Sequence, residues 1–167
     1  MKLDLREIIE VPGGRVPFRC RLELEELDFP SVAAFLSPPE AEGEVRNTAG
    51  VLTLTGTLHA EMERICDRCG RHFSQEKTLA LEVPLSAETP AEDMGGDADL
   101  FYLEDGALDL TEVLETCFIL DMEAKCLCRE DCKGLCPGCG ADLNEGPCAC
   151  RKSTDPRMAV LEQLLDP

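Results

Sequence analysis

The chain has 167 residues, of which 44% are hydrophobic, and a formal net charge of −18. This length suits one compact domain, or one domain with a small appended lobe. The negative charge argues against electrostatic binding to bare nucleic acid, because phosphate binding depends on Lys and Arg. The same charge favours a basic partner.

The N-terminal stretch MKLDLREIIE carries charged residues where a signal peptide needs an unbroken apolar run, and no run of eighteen apolar residues occurs anywhere. We therefore expect a cytoplasmic protein without membrane contact. In a reducing cytosol a dense set of cysteines favours metal binding over disulfides, and the odd total of eleven also fits a disulfide framework poorly.

Alternation of apolar and polar residues in the first half predicts β-strands. In residues 51–62 one side carries the apolar set Leu52, Leu54, Leu58, Ala60 and Met62. Similar alternation occurs at residues 18–25, starting from Phe18, and at residues 79–85, starting from Leu79. These segments predict an antiparallel sheet with one solvated face.

An acidic span follows the predicted strands. Residues 86–99, SAETPAEDMGGDAD, combine a proline and adjacent glycines with several acids, which predicts a mobile loop. No Lys or Arg occurs from Thr78 to Ala124, so we expect one continuous negative region there.

Two helices are predicted in the second half. Asp109 is suited to cap the first, with Glu112 as its third residue, and the apolar stripe comprises Leu110, Val113, Leu114, Cys117, Phe118 and Leu120. This helix, at about 109–122, should cover the sheet. Asp155 and Pro156 indicate a short terminal helix with the apolar face Met158, Leu161, Leu164 and Leu165.

These elements predict an α+β protein with two parts. Residues 1–124 would form an antiparallel sheet domain with the acidic loop and the covering helix. Residues 125–167 would form a small, cysteine-rich zinc-binding lobe that ends in the terminal helix.

Seven of the eleven cysteines lie between positions 126 and 150. Two stretches, at residues 66–70 and 136–140, share the form CxxCG, in which a tight turn presents two thiolates to one tetrahedral ion and glycine tolerates that turn. Cys148 and Cys150 follow the second stretch at C-x2-C-x8-C-x-C spacing. Cys136, Cys139, Cys148 and Cys150 are therefore predicted to form a self-contained four-thiolate site.

Cys66 and Cys69 need distant partners, and Cys128 and Cys132 are the best remaining pair, which gives two metal sites. Cys126 competes with Cys128, and His72 competes for the first site. A structural zinc contributes roughly 10–16 kcal/mol, more than the few apolar residues of the lobe would by burial, so the lobe should unfold without metal. Four thiolates suit both zinc and iron, and the pattern leaves that choice open.

The remaining residues do not indicate an enzyme. Cys20 and Cys117 lie on apolar stripes, where free cysteine behaves as a small hydrophobic residue. The chain has two histidines, His59 and His72, and no phosphate-binding loop or hydrolase motif accompanies them. A zinc-centred redox switch, which would lose metal as its thiols pair, is the main alternative use of the cysteines.

The motif at residues 128–144, CREDCKGLCPGCGADLN, closed by Cys148 and Cys150, resembles the YceD family, whose members are called large ribosomal RNA subunit accumulation proteins. Cys66 and Cys69 resemble the first cysteine pair of that family, and Asp155-Pro156-Arg157 resembles its usual ending. The resemblance runs from about residue 50 to the end and implies the eight paired cysteines as ligands, whereas Cys126 lies outside the pattern.

The resemblance implies a cytosolic factor, without enzymatic activity, that is needed for normal accumulation of large-subunit ribosomal RNA (rRNA). Lys and Arg near the predicted ligands suggest rRNA contact, and the acidic region suggests a basic ribosomal protein as partner, with no small-molecule substrate. Two other functions stay open, a zinc-thiol redox sensor or holdase and a zinc-ribbon module that serves transcription.

Overall fold

A computed structural model describes residues 1–23, 29, 31–87 and 100–150. These residues are mostly sheet, with few helices. The strands are β1 (Lys2–Asp4), β2 (Arg15–Arg21), β3 (Val32–Thr48), β4 (Val51–Ile65), β5 (His72–Ser86), β6 (Phe101–Tyr102) and β7 (Ala107–Asp109). The helices are α1 (Arg6–Ile9) and α2 (Leu110–Asp121). Most of the predicted acidic loop, residues 88–99, and the predicted terminal helix lie outside the described residues.

The main sheet has five strands in the order β2-β3-β4-β5-β6. Strands β2 to β5 pair antiparallel, as predicted, but β6 pairs parallel to β5 at Leu85↔Phe101 and Ser86↔Tyr102. The prediction of an antiparallel sheet is therefore wrong for the edge strand β6, which runs in the same direction as β5. A separate antiparallel pair, β1 with β7, joins the N-terminus to the start of α2.

The predicted alternation is confirmed in β4 and β5. All five apolar residues assigned to one side of residues 51–62 are buried, as are Leu81, Val83 and Leu85, and they belong to one core cluster. Phe18 in β2 is buried, and Leu22 is buried just beyond the end of that strand. Leu24 lies outside the described residues. One face of the sheet is therefore apolar and the other carries the polar residues.

Strand β3 is the longest element, and the sequence did not indicate it. Four residues from the middle of the strand onward are buried, and they offer little large apolar surface: Pro39, Ala41, Val45 and Asn47. Register shifts interrupt its pairing with β4 around Pro38 and Pro39, since proline donates no ladder hydrogen bond. Gly43 lies opposite Gly56, and a Cβ atom on Gly43 would come within 2.1 Å of the Thr55 carbonyl oxygen, so the two strands approach closely there.

Helix α2 begins directly after Asp109, as predicted. The Asp109 carboxylate accepts hydrogen bonds from the backbone N–H groups of Thr111 (3.1 Å) and Glu112 (3.5 Å). Its buried residues, Leu110, Val113, Leu114 and Phe118, belong to the same core cluster as the sheet. Leu120 was predicted for this apolar stripe, but it is 79% exposed, since it lies in the last turn beyond Phe118, the last buried residue of α2.

Two basic residues of the sheet hold the chain where it leaves α2. Lys77 Nζ donates to the Asp121 carbonyl oxygen at 2.9 Å and lies 3.2 Å from Glu123 Oε1. The Arg64 guanidinium, which is completely buried, donates to Glu123 Oε2 at 3.2 Å. These contacts direct residues 122–150, here the C-terminal segment, toward the turn between β4 and β5.

Candidate metal centres

Two groups of four cysteines each bring their sulfur atoms within 4.8 Å of one another. The first group is Cys66, Cys69, Cys128 and Cys132, and the second is Cys136, Cys139, Cys148 and Cys150. This partition is the one predicted from the sequence, by spacing for the second group and by elimination for the first. No described cysteine forms a disulfide, and every cysteine of the chain is described.

Both CxxCG stretches form the same turn. In the first, Cys66 N–H donates to the Arg71 carbonyl oxygen (2.9 Å) and Gly70 N–H donates to the Cys66 carbonyl oxygen (2.8 Å). In the second, the equivalent bonds join Cys136 to Ala141 and Gly140 to Cys136, both at 2.8 Å. Gly70 and Gly140 have φ values of +68° and +75°, a conformation that favours glycine. The shared sequence form therefore encodes one repeated backbone turn.

The sulfur spacing of the first group fits a tetrahedral ion. Zinc–sulfur bonds of about 2.3 Å place the sulfur atoms of a tetrahedron roughly 3.8 Å apart. The Sγ atoms of Cys66 and Cys132 are 3.8 Å apart, and those of Cys69 and Cys128 are 3.7 Å apart. These distances are far longer than a disulfide bond of about 2.05 Å. The donor set and its geometry therefore suit zinc, and four thiolates suit iron as well.

The second group is slightly tighter at one edge. The Sγ atoms of Cys136 and Cys148 are 3.3 Å apart, and Gly138 N–H lies 3.4 Å from Cys136 Sγ. A backbone donor aimed at sulfur stabilises a thiolate. The group therefore combines metal-ligand spacing with support for negative charge.

The two residues inside the first CxxC attach the C-terminal segment. Asp67 exchanges hydrogen bonds with Cys126, through its carboxylate (2.5 Å) and its backbone N–H (2.9 Å). Arg68 donates from Nη1 to the Cys132 carbonyl oxygen at 2.7 Å, and its own carbonyl oxygen accepts from Leu135 N–H at 3.1 Å. Asp67 and Arg68 therefore hold both sides of the Cys128–Cys132 loop against the β4–β5 turn.

Asn144 connects the second group to the first. Its Oδ1 accepts from Lys133 N–H and from Arg129 Nη2, both at 2.8 Å, and its Nδ2 lies 3.6 Å from Cys132 Sγ. The sequence pattern predicts neither the hydrogen bonds of Asp67 and Arg68 nor the bridging position of Asn144. Their position inside the cysteine motifs was the available signal.

Each group has one acidic thiol beside a thiol that resists ionisation. Burial opposes ionisation of Cys66, yet backbone N–H donors including those of Cys128 and Cys69 bring its pKa down to about 6. N–H groups of Gly138 and Cys139 likewise lower the pKa of Cys136 to about 6. The pKa of Cys128 rises to about 12, through burial and its hydrogen bonds to neighbouring thiols. The negative charge of the neighbouring Cys132 also raises the pKa of Cys128. A bound dication would offset this repulsion between thiolates.

The two groups differ in exposure. Cys66 and Cys132 are 2% and 1% exposed, and Phe73 and Leu127 pack against the first group. In the second group Cys136 is buried, whereas Cys139 and Cys150 are exposed. Only Cys128 of the first group is half-buried rather than buried, so the first group is more enclosed than the second, which opens to solvent on one side.

Other residues considered from the sequence lie outside both groups. Cys126 is buried, but its sulfur does not join the first group. His72 is exposed and its Nδ1 lies 3.6 Å from Glu63. His59 Nδ1 lies 2.9 Å from Thr78 Oγ1. Cys20 and Cys117 pack against the main core, as predicted, and burial raises the pKa of each.

Comparison with known proteins places the cysteine pattern in a recorded family. The family model described as "Large ribosomal RNA subunit accumulation protein YceD" matches residues 54–165, which is more than half of the chain and includes all eight grouped cysteines.

Mycobacterial proteins are similar over most of the chain. Uncharacterized proteins of Mycobacterium bovis and Mycobacterium tuberculosis are 29% identical, over 100% of this chain and 82% of each relative. One of Mycobacterium leprae is 28% identical, over 91% of this chain and 69% of the relative. No solved structure matches. Within the described residues, the helices are too short or too polar to cross a membrane.

Proposed function

Because this chain belongs to the YceD family of large ribosomal RNA subunit accumulation proteins, we propose that it supports accumulation of large-subunit rRNA in the cytoplasm as a non-enzymatic factor. The observation that carries the proposal is the family match, which spans both cysteine groups. His59 Nδ1 lies 2.9 Å from Thr78 Oγ1 and His72 Nδ1 lies 3.6 Å from Glu63, and among the described residues neither ring joins a cysteine group. This supports a binding role over cysteine catalysis, which needs a base beside the thiol.

The chain holds two zinc ions on this proposal, one in each group of four cysteines. A bound zinc ion supplies structural cross-linking rather than chemistry when four thiolates fill its coordination sphere. The first group joins residue 66 to residue 132, so it fixes the C-terminal segment against the sheet. The second group organises residues 136–150 locally.

A basic ribosomal protein fits the surface charge better than rRNA does. Residues 125–150 contain three Lys or Arg against four Asp or Glu, and each four-thiolate zinc centre adds further negative charge. Two nearby arginines are already engaged, since Arg71 lies 3.4 Å from Asp142 and Arg68 donates to the Cys132 carbonyl oxygen. Contact between the factor and rRNA would then pass through the ribosomal protein.

The exposed face of the sheet offers a specific acidic feature for such a partner. Glu61 and Glu76 lie directly opposite each other on β4 and β5, and both are exposed. Like charges at paired positions cost stability in an isolated sheet. A Lys or Arg of the partner, placed between the two carboxylates, would offset that cost.

Affinity purification of the tagged chain from growing cells, with RNA sequencing and protein identification, tests the proposal. We expect enrichment of large-subunit rRNA together with a basic ribosomal protein, and the protein should persist after RNase treatment. Paired Glu61→Gln and Glu76→Gln substitutions should weaken its recovery, whereas Glu44→Gln, whose carboxylate lies 3.6 Å from Arg15, is the matched control. Recovery of neither rRNA nor ribosomal protein would reject the proposal.

The exposure of Cys139 and Cys150 favours one second candidate, a zinc-thiol redox sensor or holdase. Peroxide treatment of the zinc-loaded chain would then release zinc reversibly and expose apolar surface. Zinc loss without new binding of a hydrophobic dye would count against this candidate.

A further inference from the structure

The two cysteine groups close chain segments of very different length. The first joins Cys66 and Cys69 in the sheet to Cys128 and Cys132 beyond helix α2, whereas the second lies entirely within residues 136–150. Opening the first group therefore requires the C-terminal segment to separate from the sheet. Opening the second requires only movement within one short loop.

Contacts around the first group oppose such opening. Asp67 and Arg68 bond the backbone on both sides of the Cys128–Cys132 loop, and Phe73 and Leu127 pack beside the sulfur atoms. An incoming ligand must break these contacts before it reaches Cys66 or Cys132, which are buried. Sites that need such cooperative opening exchange slowly.

The second group presents two of its four thiols to solvent. Cys139 and Cys150 are exposed. A Cβ atom added to Gly140 or Gly146 would have no neighbouring atom within 4 Å, so the backbone beside these cysteines borders open space. A small chelating ligand reaches these sulfur atoms without disturbing the sheet or the first group.

We propose that the second group is a metal-exchange site, from which zinc passes to small multidentate chelators by attack at Cys139 and Cys150, while the first group retains its ion. The inference rests on the proposed zinc binding. In each step the ion leaves one sulfur for an incoming donor atom and the freed thiolate takes a proton from water, with no change in oxidation state.

Asn144 sets the order of loss. It lies in the loop of the second group and holds Lys133 N–H and Cys132 Sγ of the first. Release of the second ion frees this loop and removes Asn144 from Cys132. The contacts of Asp67 and Arg68 still hold the first group at that point, so its ion should leave last.

Zinc release from the full, reduced, zinc-reconstituted chain to the chromophoric chelator 4-(2-pyridylazo)resorcinol tests the inference. We expect two equal phases, one ion each, whose rates differ about tenfold or more because only the slower phase needs cooperative opening. Cys139→Ser should abolish the fast phase and preserve the slow one. Cys20→Ser, which removes a thiol outside both groups, is the matched control and should preserve both phases.

A second measurement on the unmodified sequence does not depend on how any variant folds. Limiting N-ethylmaleimide, followed by peptide mass spectrometry, should label Cys139 and Cys150 before Cys66, Cys69 and Cys132. Labelling in the reverse order, or release of two ions at one rate, would overturn this inference alone. A chain that binds no zinc at all would instead contradict the proposed function together with it.

Discussion

Arg64 is a charged side chain that the fold encloses completely. Its guanidinium donates to the Ser31 carbonyl oxygen (3.2 Å) and hydroxyl (2.8 Å), to Gln75 Oε1 (3.1 Å) and to Glu123 Oε2 (3.2 Å). A buried charge is tolerated when its donors are bonded in this way. Arg64 lies two residues before Cys66, so this network fixes the chain on both sides of the first cysteine group.

The charge of Glu123 should make stability depend on pH. Although partial burial opposes its ionisation, its backbone N–H, Arg64 and Lys77 lower its pKa below the ordinary 4.5. A carboxyl group with a lowered pKa in the folded state stabilises the protein above its ordinary pKa, and that contribution is lost as pH falls through the lowered value.

Glu123→Gln should therefore lower the free energy of unfolding near pH 7 by no more than about 1 kcal/mol, because Glu123 is 46% exposed and solvent screens the pair. The difference from the unmodified protein should shrink below pH 4.5, as urea titrations across pH would record. Glu115→Gln, within helix α2 and without an ion pair among the described residues, is the control. A difference that is constant with pH would contradict the electrostatic explanation.

At the scale of elements, the two CxxCG turns are the part of the site that the sequence predicts best. Their spacing and glycine encode the backbone hydrogen bonds and the positive φ values directly. The pairing of Cys66 and Cys69 with a loop about sixty residues away follows from the sequence only by elimination. Asp67 and Arg68, which hold that loop, appear in the sequence only as two charged residues inside the motif.

The turn at Gly70 allows a test of whether the glycine of the CxxCG motif determines the backbone conformation. Gly70 and Gly146 both have open space where a Cβ atom would lie, but only Gly70 has a positive φ, +68°. Gly70→Ala should therefore destabilise the zinc-loaded fold by roughly 1–2 kcal/mol through backbone strain alone. Gly146→Ala should change little, and urea denaturation compares the two. Equal effects would show that the positive φ does not control the turn.

The strands show where sequence patterns succeed and fail. Strand β4 was predictable because large apolar residues occupy its buried side at every second position along most of its length. Strand β3 was not, because its buried side carries small or polar residues such as Ala41 and Asn47, and two prolines interrupt it. Strands β1, β6 and β7 have only two or three residues, which is too short for periodicity to register.

Glu61 and Glu76 face each other across the neighbouring strands β4 and β5. Because two like charges face each other across β4 and β5, Glu76→Gln should raise the free energy of unfolding by about 0.2–1 kcal/mol. Glu82→Gln, on the same face of β5 but opposite Thr55, should leave it nearly unchanged. Thermal melts of the zinc-loaded proteins would measure the difference. Destabilisation by Glu76→Gln would show that Glu76 has a favourable contact of its own.

At the scale of the whole molecule, two different interactions stabilise two regions. The sheet and α2 share one apolar core that extends from Leu5 to Phe118. The second apolar cluster consists of the first cysteine group with Phe73 and Leu127 packed beside it, and so contains little hydrocarbon. The sheet should therefore fold without metal, whereas residues 125–150 should depend on it.

Exhaustive removal of metal under reducing conditions should separate these regions, and hydrogen exchange would record it residue by residue. The amides of Asp67, Cys126 and Leu135, which bond across the first group, should lose protection, whereas those of Leu54 and Leu58 in the core of β4 should keep it. Readdition of zinc should restore protection and calcium should not, because thiolates prefer soft ions to a hard oxygen-seeking one. Simultaneous loss of protection in β4 would mean that the metal supports the entire fold. Unchanged protection at Asp67 and Leu135 would mean that hydrogen bonds and packing hold the C-terminal segment without metal.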